Sequence, residues 1–272
     1  MDSLTEQELE QTADLIYNIH QLDFRKYAKS SFSRRITRIM SINVLKSKDE
    51  LFNYIKNISS IDSFLEEITV NTTEMFRDPS FWVCLRDKVF PELLSHGNIR
   101  IWHAGCSSGE EAVSMQILLE EMGLRHKVTA YATDIDTAIL RKAQTGIYSM
   151  KNYELNNSNY LQAGGKYSLE KYFEKSDSFS FIIKSELVNA IQYKRFDLVK
   201  EQMYTKFDLI LCRNVLIYFD FSLQEHVINM FCDSLFSNGF VGIGQKETIL
   251  SNENLNRLNL FNAQEKIYQL KT

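Results

Sequence analysis

No apolar run in the 272 residues approaches the roughly 20 needed to cross a bilayer, so no membrane-spanning helix is expected. The amino terminus lacks a signal-peptide pattern, and a reducing, cytoplasmic location is expected. Cysteine is sparse: Cys84, Cys106, Cys212 and Cys232 lie far apart with no Cys-x-x-Cys pair. That spacing suggests neither a disulfide framework nor a metal site, and no metal is expected. Positive charge is not in excess; the formal net charge of −4 argues against a general nucleic-acid binder. Internal repeats and low-complexity tracts are also missing. What remains is an ordinary globular composition, 44% apolar and 24% charged, long enough for one α/β domain with a smaller companion.

Residues 1–76 read as an all-helical domain. Thr5 and Glu8 make a capping-box pattern ahead of Leu9, Ala13, Ile16 and Tyr17 on one helical face. A second helix carries Phe32, Ile36, Ile39 and Met40 at i, i+4, i+7 and i+8, with Arg34, Arg35 and Arg38 on roughly the opposite side. Ser47 and Glu50 open a third helix, and Ile61, Phe64, Leu65 and Ile68 continue the pattern in a fourth. Asp78-Pro79 marks a further helix start, with Asp78 as the expected N-cap and Pro79 in the first turn.

From residue 99 the texture changes. Short apolar runs at Ile99–Ala104, Val128–Thr133, Phe207–Cys212, Val241–Gly244 and Lys266–Leu270 alternate with helical stretches. Such alternation implies a mostly parallel sheet with right-handed crossovers, within a domain spanning 77–272. A polar stretch with the turn signal Gly164-Gly165 and a β-like Phe179–Ile183 breaks the rhythm. It reads as a small inserted β-subdomain, about 160–194.

The run HAGCSSGEEAVS, residues 103–114, follows the first strand and opens a helix. Its small residues let a ligand approach backbone at a helix N-terminus. It is neither the G-x-G-x-x-G fingerprint nor a P-loop, since no Lys-Ser/Thr follows Gly109. Glu110 and Glu111 stand where a phosphate binder would avoid negative charge; they favour a cationic or zwitterionic ligand, and S-adenosylmethionine suits them. Equally, both acids can simply complement the helix dipole. Asp134 and Asp136 end the next strand. Asp134 is placed to take ribose hydroxyls, and Asp136 to cap the helix beginning near Thr137.

Four ordered blocks then carry a resemblance. FDLILCRNVLIYFD (207–220), NTTEMFRD (71–78), WHAGCSSGEE (102–111) and ATDIDTAILRKAQTGIY (132–148) closely resemble the CheR family of chemotaxis receptor glutamate methyltransferases. The resemblance implies an α/β Rossmann-like methyltransferase sheet with an N-terminal helical domain and a small β-subdomain. It implies S-adenosylmethionine as cofactor, S-adenosylhomocysteine as product, and methyl-ester formation on glutamates of methyl-accepting chemoreceptor helical bundles. It places Asn71, Thr73 and Arg77 at the cofactor or active site from the linker, with Ala104 and Glu110 in the cofactor loop. Asp134 matches the ribose acid, and Asp197 and Leu198 the adenine-side pair. Arg213 and Asn214 fall beside the methionyl portion, and Tyr218 faces the transferred methyl. Arg77, Arg213 and Tyr218 are thus the expected catalytic set.

Arg34, Arg35 and Arg38 are candidates to dock an acidic receptor bundle electrostatically, against the plainer reading of a solvated charged face. Three features depart from the family. Gly244-Gln245-Lys246-Glu247 stands where Gly-His-Ser-Glu is usual, Asp197 where Asn is common, and Met75 replaces the first Phe of Asn-x-Thr-x-Phe-Phe-Arg. The turn before Phe179 also lacks the glycine-rich hairpin of members that grip a receptor's tail pentapeptide, which argues against tail docking. Two alternatives stay open: a catalytically silent S-adenosylmethionine-binding scaffold, and a same-fold methyltransferase acting on another acceptor.

Overall fold

Thr5 and Glu8 close the expected capping box, and from it α1 (Glu6–His20) runs until Gln21 turns left-handed. The computed structural model describes residues 4–69, 73–95 and 97–272. α2 (Lys29–Ile42), α3 (Lys48–Lys56) and α4 (Ile61–Ile68) follow, the last two capped by Ser47 and Ser60. Ile16, Phe32, Ile36, Ile39, Leu51 and Phe64 meet in one buried cluster, so the four amphipathic faces make a core of their own. α2 buries Phe32, Ile36, Ile39 and Met40 together, and leaves Arg34 and Arg38 exposed.

The chain re-enters helix at α5 (Pro79–Cys84), passes through a π-helical stretch (Leu85–Val89) and finishes in α6 (Phe90–Leu93). Asp78 does not cap α5 with its side chain, contrary to the sequence expectation. Its backbone is left-handed, φ 54°, and its carboxylate turns instead to Arg213 at 2.6 Å. Met75 and Phe76 already belong to the core under the sheet, so packing passes to the second domain just before residue 77.

The α/β part runs β1 (Ile99–Ala104), α7 (Glu110–Met122), β2 (Val128–Asp134), α8 (Thr137–Thr145), β3 (Ile147–Ser149), α9 (Tyr153–Gln162), β4 (Phe173–Ser176) and β5 (Ser180–Ile183). Then come α10 (Ser185–Val188), β6 (Ile191–Arg195), β7 (Phe207–Cys212), α11 (Phe221–Ser234), β8 (Leu235–Ile243), α12 (Asn252–Arg257), β9 (Leu258–Asn262) and β10 (Ile267–Leu270). Seven strands form one sheet in the order β6-β2-β1-β7-β8-β10-β9. The first five are parallel; β10 runs antiparallel to β8 and β9. β1 buries Ile99 and Ile101 on one face and Trp102 and Ala104 on the other, the period-2 alternation of a strand covered on both sides.

The inserted subdomain has other bounds than the sequence suggested. β3, β5 and β4 make a separate antiparallel sheet, but β6 joins the main sheet beside β2. The insertion therefore begins at β3 and ends before Ile191, rather than spanning 160–194. Chain order reverses between β1 and β7: β2 and β6 extend the sheet one way, β7 and β8 the other. The carboxyl ends of strands beside such a switch point form a crevice.

Candidate active site

A cavity of about 230 Å³ opens at that switch point. Its floor is the Gly105–Ser107 turn after β1, the end of β2 at Asp134, and the loop after β6 from Phe196 to Val199. The helical domain supplies the facing wall through Phe24, Tyr27, Ser31 and Arg35. Gly105 has φ 75°, and a Cβ there would stand 2.6 Å from Val215 Cγ2, so the turn needs glycine for both conformation and space. Ser107, Asn214 and Asp78 hold left-handed backbone without being glycine, at φ 51°, 63° and 54°. Such strain gathered round one cavity is typical of a functional centre.

At one end of the cavity lie two acids, half-buried Asp134 and buried Asp197. Asp134 accepts the N–H groups of Ser107 at 2.9 Å and Asp136 at 3.1 Å. Burial nonetheless pushes its carboxyl above the ordinary aspartate range. Asp136 caps α8 through Ala138 and Ile139, as its position suggested. Asp197 is 2% exposed, accepts the Val199 N–H at 2.9 Å, and is also pushed up by burial. Leu198 and Phe196 provide apolar surface beside it.

At the other end, Arg213 anchors a buried ion network. Its guanidinium stacks over Phe81 at 4.1 Å. Nη2 donates to Asp78 at 2.6 Å and to the Arg77 carbonyl at 3.2 Å, while Nη1 reaches Glu111 at 3.3 Å. Glu111 also meets His103 Nδ1 at 2.9 Å. Burial opposes ionisation of Glu111, but His103 and Arg213 outweigh it and hold the carboxyl below the usual range. His103 is thus fully buried against an acid.

Arg77 is far less committed. Its side chain lines the cavity about one-third exposed, with Glu74 at 4.0 Å. Tyr218 lines the same end, half-buried, and its hydroxyl has no hydrogen-bond partner among the described residues. Burial raises its pKa against the opposing pull of Arg35 and Arg77, so it stands neutral as a donor near neutrality.

Of the residues expected from sequence, Thr73, Arg77, Asp134, Asp197, Leu198, Arg213, Asn214 and Tyr218 line this one cavity. Asn71 lies outside the described residues. Ala104 packs under the sheet, and Glu110 bonds Ser108 at 2.9 and 2.7 Å; neither lines the cavity. Glu111 lines it instead. Arg35 departs from its neighbours: it is half-buried in the cavity wall, with a buried Nε that has no partner.

Sequence reasoning missed Glu247 and Tyr27. Glu247 is 4% exposed, and its carboxylate accepts N–H groups from Gly244 at 2.5 Å, Asn214 at 3.0 Å and Ile217 at 3.1 Å. It therefore stitches the end of β8 to the Asn214–Tyr218 turn. Glu247 was visible as the retained acid of the departing Gly244–Glu247 motif. Gln245 and Lys246, the departing residues, are exposed.

The donor set suits S-adenosylmethionine. Asp134 and Asp197 offer acceptors of the kind that ribose hydroxyls and an adenine amine need, and Glu111 offers the negative charge that suits a sulfonium or ammonium. The model of the CheR methyltransferase all-alpha domain matches residues 7–69, and that of the CheR methyltransferase SAM binding domain matches 71–266. The chain belongs to the CheR methyltransferase family. A chemotaxis protein methyltransferase of Listeria innocua is 35% identical over 234 residues, covering 85% of this chain and 86% of that one. The chemotaxis protein methyltransferase of Borreliella burgdorferi is 30% identical over 269 residues, covering 93% and 92%. The protein Cher3 of Pseudomonas putida is 33% identical over 251 residues, covering 90% of each. Its family makes the sheet domain of this chain an S-adenosylmethionine-binding methyltransferase domain.

Proposed function

We propose that this CheR-family chain is a protein-glutamate O-methyltransferase acting on the cytoplasmic helices of chemoreceptors. The observation that carries the reading is the polarity of this cavity: acids at half-buried Asp134 and buried Asp197, cations and a neutral tyrosine at Arg35, Arg77 and Tyr218. The acidic end suits a nucleoside; the basic end suits an incoming carboxylate.

Bound S-adenosylmethionine supplies a methyl group on an electron-poor sulfonium. A glutamate with the ordinary pKa of about 4.3 is ionised near neutrality, so no base has to remove a proton. Attack unites a negative carboxylate with the methyl of a positive sulfonium, the C–S electron pair leaves on a neutral thioether, and charge is lost in the transition state. Removing water from both partners therefore favours reaction, and the chain's task is alignment and desolvation. Arg77 steers the carboxylate, its ion pair with Glu74 being long at 4.0 Å. Tyr218 orients the attacking oxygen through its free hydroxyl. Arg213, fixed between Asp78 and Glu111, holds the turn and the linker around them. Arg34 and Arg38, exposed on α2 beside Arg35, extend the positive field outward to an acidic helical bundle.

The test is transfer of label from methyl-tritiated S-adenosylmethionine to a purified chemoreceptor cytoplasmic fragment. Mild base must release the label as volatile methanol, the mark of a carboxyl methyl ester. Base-stable label, or label retained after the acceptor glutamates are changed to alanine, would reject this acceptor.

A further inference from the structure

The helical domain does more than offer α2. Between α1 and α2, the backbone of Tyr27 pairs antiparallel with Phe219, one residue beyond Tyr218. Ala28 N–H donates to the Tyr218 carbonyl at 2.9 Å, and Asp220 N–H to the Lys26 carbonyl at 2.8 Å. The Tyr27 ring sits edge-on to Phe24 at 4.8 Å and to Phe219 at 5.2 Å. Held at backbone and ring, it has little freedom to swing away.

Tyr27 lines the same cavity as Asp134 and Asp197, and its hydroxyl has no hydrogen-bond partner among the described residues. Burial first, and then the charges of Asp197 and Asp134, push the Tyr27 pKa up, so this hydroxyl keeps its proton and lies within the field of both acids. A half-buried phenol that lines the same cavity as two carboxylates and bonds neither leaves room for a bridging group. A ribose is the fitting bridge: its hydroxyls donate to carboxylates and accept from a phenol.

We propose that Tyr27 is a cofactor-binding residue supplied by the helical domain, its hydroxyl meeting the ribose of S-adenosylmethionine between Asp134 and Asp197. The proposal rests on the reading of this cavity as the cofactor site. It makes seating of the helical domain and capture of the nucleoside a single coupled event. Two further contacts brace the same seat: Asp62 accepts from Thr137 at 2.7 Å and from Arg141 at 2.8 Å, and Lys200 Nζ donates to the Gln21 carbonyl.

The experiment is calorimetric titration of wild type and Tyr27→Phe with S-adenosylhomocysteine and with its 2′-deoxy and 3′-deoxy analogues. The substitution keeps the ring and its packing, so the melting temperature of the free protein should not move. The loss of one hydrogen bond should weaken S-adenosylhomocysteine binding about three- to tenfold. That deficit should vanish with whichever deoxy analogue lacks the contacted hydroxyl. Equal affinity of the two proteins, or a deficit unchanged with both analogues, overturns the proposal while leaving the cofactor site in place. Failure of folded wild type to bind S-adenosylhomocysteine removes both the site and the proposal.

Discussion

Replacing Glu247 with alanine should damage the site more than any residue outside the cavity. The carboxylate satisfies the N–H groups of Gly244, Asn214 and Ile217 at the tips of two strands. Stranding buried donors costs roughly 1 kcal/mol each at the lower end of the measured range, giving about 3 kcal/mol for three. Removal of a buried charge offsets part of this, because burial already holds the Glu247 carboxyl above its ordinary range. In a chain of this size a net loss of about 2 kcal/mol lowers the melting temperature by roughly 4–8 °C. Turnover should fall further than stability implies, since the turn that loses its anchor carries Asn214 and Tyr218; a displacement near 1 Å there is worth about a hundredfold. Glu247→Gln keeps one acceptor oxygen but sets an amide N–H against a backbone N–H, and should fall between. The assay is melting followed by initial rates at a temperature where each variant is folded. Melting and turnover of Glu247→Ala both equal to wild type would refute the anchoring role.

Arg77→Ala should leave melting unchanged, because the side chain's ion-pair partner Glu74 is 4.0 Å away, while turnover drops at least tenfold on the steering argument; wild-type turnover would remove Arg77 from the mechanism. Charge reversal at Arg34 and Arg38 together should raise the acceptor KM about tenfold at low salt, with the difference shrinking as salt is added. S-adenosylhomocysteine affinity should not change, and parallel loss of both would contradict docking on α2. Affinity for S-adenosylhomocysteine should also depend on pH through Asp134 and Asp197, whose ionised forms accept ligand hydrogens. Both pKa values are raised, so affinity is full above them and falls as pH drops through them, sooner than for an ordinary aspartate. Calorimetry across the acid range checks this; a fall only near the ordinary aspartate value would count against ligand contact at the buried pair.

Much of the fold was legible because burial leaves a local trace. β7 is buried along its whole length and β1 in all but Arg100, being covered on both faces, and their limits could be read directly. β6 was not, because Ile191-Gln192-Tyr193-Lys194-Arg195 lies at the sheet edge with only Ile191 buried, and reads as polar loop. Asp136 behaved as its neighbours suggested because capping is a local event. Asp78 did not, because Arg213 stands 135 residues away and its attraction outweighs a cap. Glu110 and Glu111 show a finer limit. Adjacent residues in a helical turn point about 100° apart, and a pattern of letters does not tell which one faces a ligand. Arg34 and Arg35 divide in the same way between solvent and cavity. The place of Tyr27 on the cavity was invisible because it depends on pairing with Phe219 across two domains.

We propose that the cavity between the helical domain and the sheet's switch point holds S-adenosylmethionine, with Asp134 on its nucleoside end. The decisive experiment is calorimetric titration of S-adenosylhomocysteine into wild type and Asp134→Ala. Saturable one-to-one binding to wild type, lost or greatly weakened in a variant that still melts cooperatively, is the expected result. Binding that survives in the variant at full strength would put the nucleoside elsewhere, and absence of binding to folded wild type would contradict the claim outright.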